Sequence, residues 1–356
     1  MSFRGPLTPD LVHGLEAALR HDGRWPGVQL QPLPDKGLAH LHVRLAGTGV
    51  LARIPKQSQL GLLPEANLVH QAACFARAAP SGHTPRLLGT LPVSPQLPRG
   101  ALLVEEIEGR VASLPRDLHA IAISLASIHA LPLPAVVARA PLASPRDPLE
   151  ALIREIDEQG THLAGAKLEG GVLRLVEEEL LALRRLASRH DRPGVHLVSF
   201  DAHPGNFVLR ADGDAVLVDL EKCRYSHAGL DLAHATLYTS TTWDVASRAA
   251  LSLAEVAGFY RAWQAHVGRE IADASRAWQV PLRRAMWLWS LTWCCKWSVL
   301  SGQAAPPAAS GEDWSAGNSD AQLISHVRDR VDHYLSLPIV LRVRQELDNL
   351  EEVLAA

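Results

Sequence analysis

Val198-Ser199-Phe200-Asp201-Ala202-His203-Pro204-Gly205-Asn206-Phe207-Val208-Leu209 and, after a polar gap, Ala215-Val216-Leu217-Val218-Asp219-Leu220 decide how this chain is read. The two apolar runs flank Ala211-Asp212-Gly213-Asp214, whose Asp-Gly pair is a hairpin-turn signal. Asp201 and Asn206 therefore fall on a loop that enters a hairpin, and Asp219 leaves its far end. The predicted hairpin brings three oxygen-bearing side chains to one edge of a small sheet.

Such a set suits phosphoryl transfer: one carboxylate accepts a hydroxyl proton, while an amide and a second carboxylate hold Mg²⁺. The Asp-x-x-x-x-Asn spacing matches the kinase catalytic loop, and a second Asp follows an apolar strand here as it does there. Asp and Asn are also ordinary turn residues, but two matched halves at the expected separation favour the kinase-like reading. The stretch resembles the phosphotransferase family that includes the aminoglycoside and choline kinases. Its loop has the form His-x-Asp-x-His-x-x-Asn, followed by a strand ending in Asp. Asp201, His203, Asn206 and Asp219 match, as does Asp231 in Gly229-Leu230-Asp231, whereas Ser199 replaces the first His. The resemblance implies ATP as donor, Mg²⁺ held by Asn206 and Asp219, and Asp201 as base or orienting group for a small-molecule hydroxyl acceptor.

Upstream, residues 8 to 21 read as a helix capped by Thr8, with Leu11, Leu15 and Leu19 on one face. Strands are predicted at 28–33, 40–45, 49–54, 85–88 and 101–105, and a helix at 65–79. The loop Asp35-Lys36-Gly37-Leu38-Ala39-His40 falls where kinases cover the phosphates, with one glycine in place of three, which disfavours a protein kinase. By the resemblance, Arg53 stands where kinases place a phosphate-holding Lys, with Lys56 as runner-up beyond Pro55. Glu65 would be its partner carboxylate. The segment Glu105 to Ile107 would be the hinge whose backbone reads the adenine edge. A bland reading leaves Arg53 as a strand-edge arginine and Glu65 as an acid at a helix N-terminus.

The fold class expected is α+β, a two-lobed protein-kinase-like fold with ATP between the lobes. Residues 1–106 would form a small five-stranded antiparallel lobe. Residues 107–356 would form a mostly helical lobe carrying the catalytic loop and acceptor site. Helices are predicted at 118–131, 149–165, 172–189, 231–239, 244–268, 270–302 with a break near Pro281, and 319–353, with a mobile loop at 303–318. His129, ending the first of these, reads as a packed or capping histidine.

Composition narrows the class. Hydrophobic residues at 47% and charged residues at 21% suit a soluble globular protein with a sizeable core. A net charge of -3 disfavours a nucleic-acid binder and a basic membrane patch. No apolar signal core or membrane span is expected, and Cys74, Cys223, Cys294 and Cys295 show no framework spacing, so a cytoplasmic location is expected. Arginine dominates the cations: lysine occurs only at 36, 56, 167, 222 and 296. Trp289, Trp293 and Trp297 recur every four residues on one predicted helical face. That face reads either as core filler or, with Trp243, Asp244, Glu155 and Glu158, as the seat of a cationic acceptor. An alternative to the kinase reading is a nucleotide-binding pseudokinase with a regulatory role, resting on Ser199 and Arg53.

Overall fold

A computed structural model of the chain describes residues 7–34, 37–245, 247–304, 314 and 319–355. Asp35 and Lys36 of the expected phosphate-covering loop lie outside them, as does most of the 303–318 stretch. The chain divides into two units: residues up to Ala79 with Pro85–Ile107 and Leu300–Arg328, and Pro80–Thr84 with Glu108–Val299 and Asp329–Ala356. A single boundary at 106 is thus crossed twice, by residues 80–84 and by the 300–328 segment.

In the first unit, α1 (Pro9–Asp22) is capped by Thr8, whose Oγ accepts the Leu11 N–H at 3.3 Å. β1 (Leu30–Pro32), β2 (His40–Leu45) and β3 (Val50–Pro55) follow, then α2 (Pro64–Ala78), β4 (Leu87–Leu91) and β5 (Ala101–Glu105). The five strands form one antiparallel sheet in the order β1-β2-β3-β5-β4. Leu11, Leu15 and Leu19 of α1 pack into one core with Leu41, Val43, Val50, Ala52 and Leu103 of the sheet. Each buried leucine contributes about 1.5–3 kcal/mol, so the three-leucine stripe is enough to hold α1 on that face. Pro55 ends β3, as a residue without an N–H ends a ladder.

The second unit begins with β6 (Arg110–Val111) and α3 (Leu118–His129), then α4 (Pro148–Gly160) and α5 (Gly170–Leu186). β7 (His196–Val198) enters the loop, and β8 (Phe207–Leu209) and β9 (Ala215–Leu217) form the predicted hairpin, paired Phe207 to Leu217 and Leu209 to Ala215. Gly213 supplies the left-handed φ of +93° in its turn, where Asp212 Oδ1 accepts the Asp214 N–H at 3.0 Å. β10 (Arg224–Ser226) pairs with β7, and β6 adds to the hairpin through β8. Neither short pairing is legible in a sequence pattern.

Helices complete the chain: α6 (Gly229–Thr236), α7 (Tyr238–Thr241), α8 (Leu253–His266), α9 (Arg269–Ser275), α10 (Gln279–Leu300), α11 (Ala321–Tyr334) and α12 (Leu337–Ala355). Predicted helix 244–268 starts only at Leu253, because Ser252 and Glu255 make a reciprocal capping box there. The break expected near Pro281 lies just before it, in a 3₁₀ turn at Arg276–Trp278; Pro281 sits in the first turn of α10, where no intrahelical N–H is needed. α3 packs against α6 and α8 and against β7 and β9. Among the described residues, no helix is long and apolar enough to cross a membrane.

Candidate active site

The loop from β7 to β8 is held from below by one carboxylate. Asp231, in the first turn of α6 and fully buried, accepts the Ser199 N–H through Oδ2 at 2.7 Å and the Phe200 N–H through Oδ1 at 2.8 Å. Two successive N–H groups converge on it because Phe200 takes a left-handed φ of +58°, a conformation that costs a non-glycine residue about 1–2 kcal/mol. Behind Asp231 stands His129, also fully buried, with Nε2 at 3.1 Å from Oδ2. The Trp263 indole N–H donates to His129 Nδ1 at 3.0 Å. An indole can only donate, so the imidazole carries its proton on Nε2 and donates it to Asp231. The packed histidine expected from sequence is thus a link between α8 and the loop.

Asp201 follows this anchored turn. Its N–H donates to Ser199 Oγ at 3.2 Å, so the serine in place of the family's histidine still braces the loop. The Asn206 amide donates from Nδ2 to the Asp201 carbonyl at 2.9 Å, which leaves Oδ1 as the amide's open acceptor. His203 Nδ1 accepts the Gly205 N–H at 3.2 Å. A Cβ on Gly205 would come within 2.8 Å of the His203 ring and 3.0 Å of Asp244 Oδ2, so a side chain here would have to displace one of them.

The Asp201 carboxylate, 14% exposed, meets the Lys222 ammonium at 2.9 Å through Oδ2 and His234 Nε2 at 4.0 Å from Oδ1. Burial alone would raise the Asp201 carboxyl, but the Lys222 charge, with His234 and His203, outweighs it and holds it below its ordinary value. Burial would likewise lower Lys222, and Asp201 and Glu221 raise it instead. His234 is pushed down to about 4, chiefly by burial. Asp201 is therefore an ionised acceptor held in one orientation.

One oxygen of Asp219 and one of Glu221 lie within 4.8 Å of each other. Carboxylate oxygens, like the open amide oxygen of Asn206, are hard donors of the kind Mg²⁺ takes. The residues present fit that ion. Neither Lys222 nor Glu221 was singled out from sequence. The available signals were the rarity of lysine, one of which follows Asp219 by three, and the two-residue spacing of Asp219 and Glu221, which in extended chain sets both on one side.

In the first unit, Arg53 is 4% exposed, with Nη2 at 3.4 Å from His40 Nδ1 and its guanidinium 5.5 Å from the Phe75 ring centre. It is not paired with Glu65, which is exposed in the first turn of α2. Among the α2 residues that face the sheet is Gln71, whose Oε1 lies 2.9 Å from His40 Nε2. Glu65 points elsewhere because it lies six positions, about 240° of helix, before Gln71. Lys56 is buried, with Nζ at 2.8 Å from Ser319 Oγ. The Glu105 side chain pairs with Arg86 at 3.2 Å, and the N–H groups of Glu105 and Glu106 bond to Arg86 O and Gly49 O. The sheet ladder stops there, and the backbone of Ile107 makes no hydrogen bond to the described residues.

The profile of the phosphotransferase enzyme family matches residues 35–270. The chain belongs to that family. Solved structures of similar fold include a choline/ethanolamine kinase family protein from Mesorhizobium loti, at 16% identity and a TM-score of 0.59, covering 96% of this chain and 99% of that one. An ethanolamine kinase from Plasmodium vivax matches at 14% and 0.58, over 96% and 86%. The GDP complex of aminoglycoside 2'-phosphotransferase-IIIa matches at 14% and 0.55, over 92% and 99%. No curated protein sequence matches the chain. The two-lobed protein-kinase-like α+β fold expected from the hairpin motif is the fold of these relatives.

In this phosphotransferase the tryptophan-rich α10 is mostly core: Trp287 and Trp297 are almost wholly buried and Trp289 is 6% exposed. Trp289 lies beside the β7–β8 loop, edge-on to Phe200 at 5.2 Å, and its N–H donates to Glu155 at 2.9 Å. The cation nearest its face is the protein's own Lys222, at 5.8 Å, and Glu155 also holds Arg224 at 2.7 Å. Half-buried Trp293 meets Trp243 edge-on at 5.7 Å. Two of the groups singled out for a cationic acceptor, Trp289 and Glu155, therefore already meet cations of the chain itself.

Proposed function

We propose that this phosphotransferase is a small-molecule kinase that moves the γ-phosphoryl group of ATP to a hydroxyl. The observation that carries the reading is Asp201, an ionised carboxylate on a loop locked by Asp231, beside the oxygen donors Asn206, Asp219 and Glu221. Mg²⁺, when bound by those donors, would neutralise charge on the phosphates. Asp201 orients the acceptor hydroxyl and takes its proton as the new oxygen–phosphorus bond forms and the bond from phosphorus to the ADP oxygen breaks. Lys222 keeps Asp201 charged and fixes its rotamer. Open backbone groups at Ile107 suit an adenine edge, and Arg53 is the cation assigned to the phosphates. The GDP bound by the aminoglycoside 2'-phosphotransferase of similar fold supports a nucleotide donor. A purely regulatory role loses ground because Ser199 still braces the loop.

The test is a screen of hydroxyl compounds for stimulated ADP release, with Asp201→Asn as blank. The variant is expected to lose about 10²-fold or more in turnover, the scale of general-base catalysis, with nucleotide affinity barely changed. Full turnover in that variant would sink the assignment.

A further inference from the structure

Tyr238, which opens α7, lies among basic side chains that form no ion pair among the described residues. The Arg342 guanidinium lies 4.4 Å from its ring centre, and His333 Nε2 lies 3.1 Å from its hydroxyl. Tyr334, packed 6.4 Å from the same ring, is almost wholly buried. Arg330 stands one turn before His333 on α11, the spacing that sets two side chains on one helix face. The imidazole is lowered from its ordinary value by burial and by the charges of Arg330, Arg248 and Arg342.

None of these arginines forms an ion pair among the described residues. Asp329 and Asp332 adjoin Arg330 and His333 in sequence but are exposed, on other faces of the helix. Arg330 Nη1 is moreover buried with no hydrogen-bond partner. A buried charged donor left unmatched is costly, more so with two like charges beside it. An oxyanion removes both costs, since guanidinium groups match the geometry of carboxylate and phosphate.

The place of the cluster says whose oxyanion it is. Tyr238 follows His234 by four residues, and His234 lies 4.0 Å from Asp201. The Cα atoms of His234 and Tyr238 are thus at most about 14 Å apart, so one short chain segment carries both a neighbour of Asp201 and the ring at the centre of the cluster. We propose that Arg330, His333 and Arg342, with Arg248, form an oxyanion site that holds the carboxylate or phosphate of the acceptor while its hydroxyl lies at Asp201. The inference rests on the kinase reading above and gives it a substrate class, an anionic hydroxyl compound.

The experiment has two arms, both on the full chain. Calorimetric titration with inorganic phosphate, without nucleotide or Mg²⁺, reads the site alone. The parent is expected to bind, and Arg330→Ala and the exposed-site variant Arg342→Gln are expected to weaken binding about tenfold or more, the scale of one lost charge-assisted contact. ADP release is then measured with hydroxyl compounds matched in pairs, with and without a carboxylate or phosphate. The anionic member is expected to be the better acceptor, and Arg342→Gln to raise its KM with kcat little changed. Phosphate affinity equal in parent and both variants, or a cationic compound as the preferred acceptor, would overturn the proposal. Phosphate binding lost in the arginine variants together with full turnover by Asp201→Asn would keep the oxyanion site and remove the kinase reading.

Discussion

Asp231→Asn tests whether one buried carboxylate holds the catalytic loop. The native side chain serves three donors: the N–H groups of Ser199 and Phe200 and the His129 Nε2–H. Removing it altogether would orphan two buried backbone donors at about 1–3 kcal/mol each, some 2–6 kcal/mol in all. That is a large share of the roughly 5–15 kcal/mol that holds a domain folded, so Asp231→Ala is expected to fold poorly. Asparagine keeps the volume and one acceptor oxygen, but turns its NH₂ toward a second donor. About half the loss, on the order of 1–3 kcal/mol, is therefore expected from it. The left-handed Phe200 is the residue most released, and Asp201 follows it directly. Turnover should thus fall well beyond any change in ATP affinity. Urea unfolding, nucleotide titration and single-turnover kinetics on the same preparation give the three numbers. Trp263→Phe, which removes the donor that fixes the His129 tautomer and leaves a small core cavity besides, should lower turnover more weakly than Asp231→Asn, with a stability loss of its own. Asp231→Asn within about 0.5 kcal/mol of the parent, the range of an ordinary surface change, with unchanged turnover, would refute the anchoring argument.

Three further outcomes are expected. Lys222→Met removes the charge that holds the Asp201 carboxyl down and leaves burial to raise it; on the proposed kinase reading the carboxylate is the active form, so the acidic limb of the pH–rate profile should move to higher pH, and an unmoved limb counts against the ion pair's role. Arg53→Ala should weaken ATP binding about tenfold while Glu65→Ala leaves it alone, since the two are not paired; equal losses would restore their pairing. His196 and His234 are both held at about 4 in the fold, mainly by burial. Unfolding therefore takes up protons between about 6.5 and 4, so stability should be full above about 6.5 and decline as pH falls through that window; urea melts showing a flat profile there would contradict the burial of these rings.

Where the sequence spoke clearly, its signal was local. The Asp-Gly turn, the apolar runs around it and the five-residue step from Asp201 to Asn206 specify the hairpin and its loop, because turn chemistry and strand alternation are settled between near neighbours. Helix α1 was legible for the same reason, with its cap and leucine stripe written within fourteen residues. The partners of the candidate catalytic groups are another matter. Asp231 reaches His129 across 102 positions and Trp263 reaches the same ring across 134, while Lys222 returns to Asp201 across 21. No periodicity encodes such meetings, since any buried donor needs an acceptor and many residues could provide one. Likewise the sequence offered Glu65 as the acid for Arg53, but the rotation of α2 on its sheet turned Gln71 inward and Glu65 to solvent. The amino acids by themselves determined which chemistry the loop could carry; only packing decided which charges would stand beside it, because a side chain's neighbours in space are chosen by how helices bury their apolar faces.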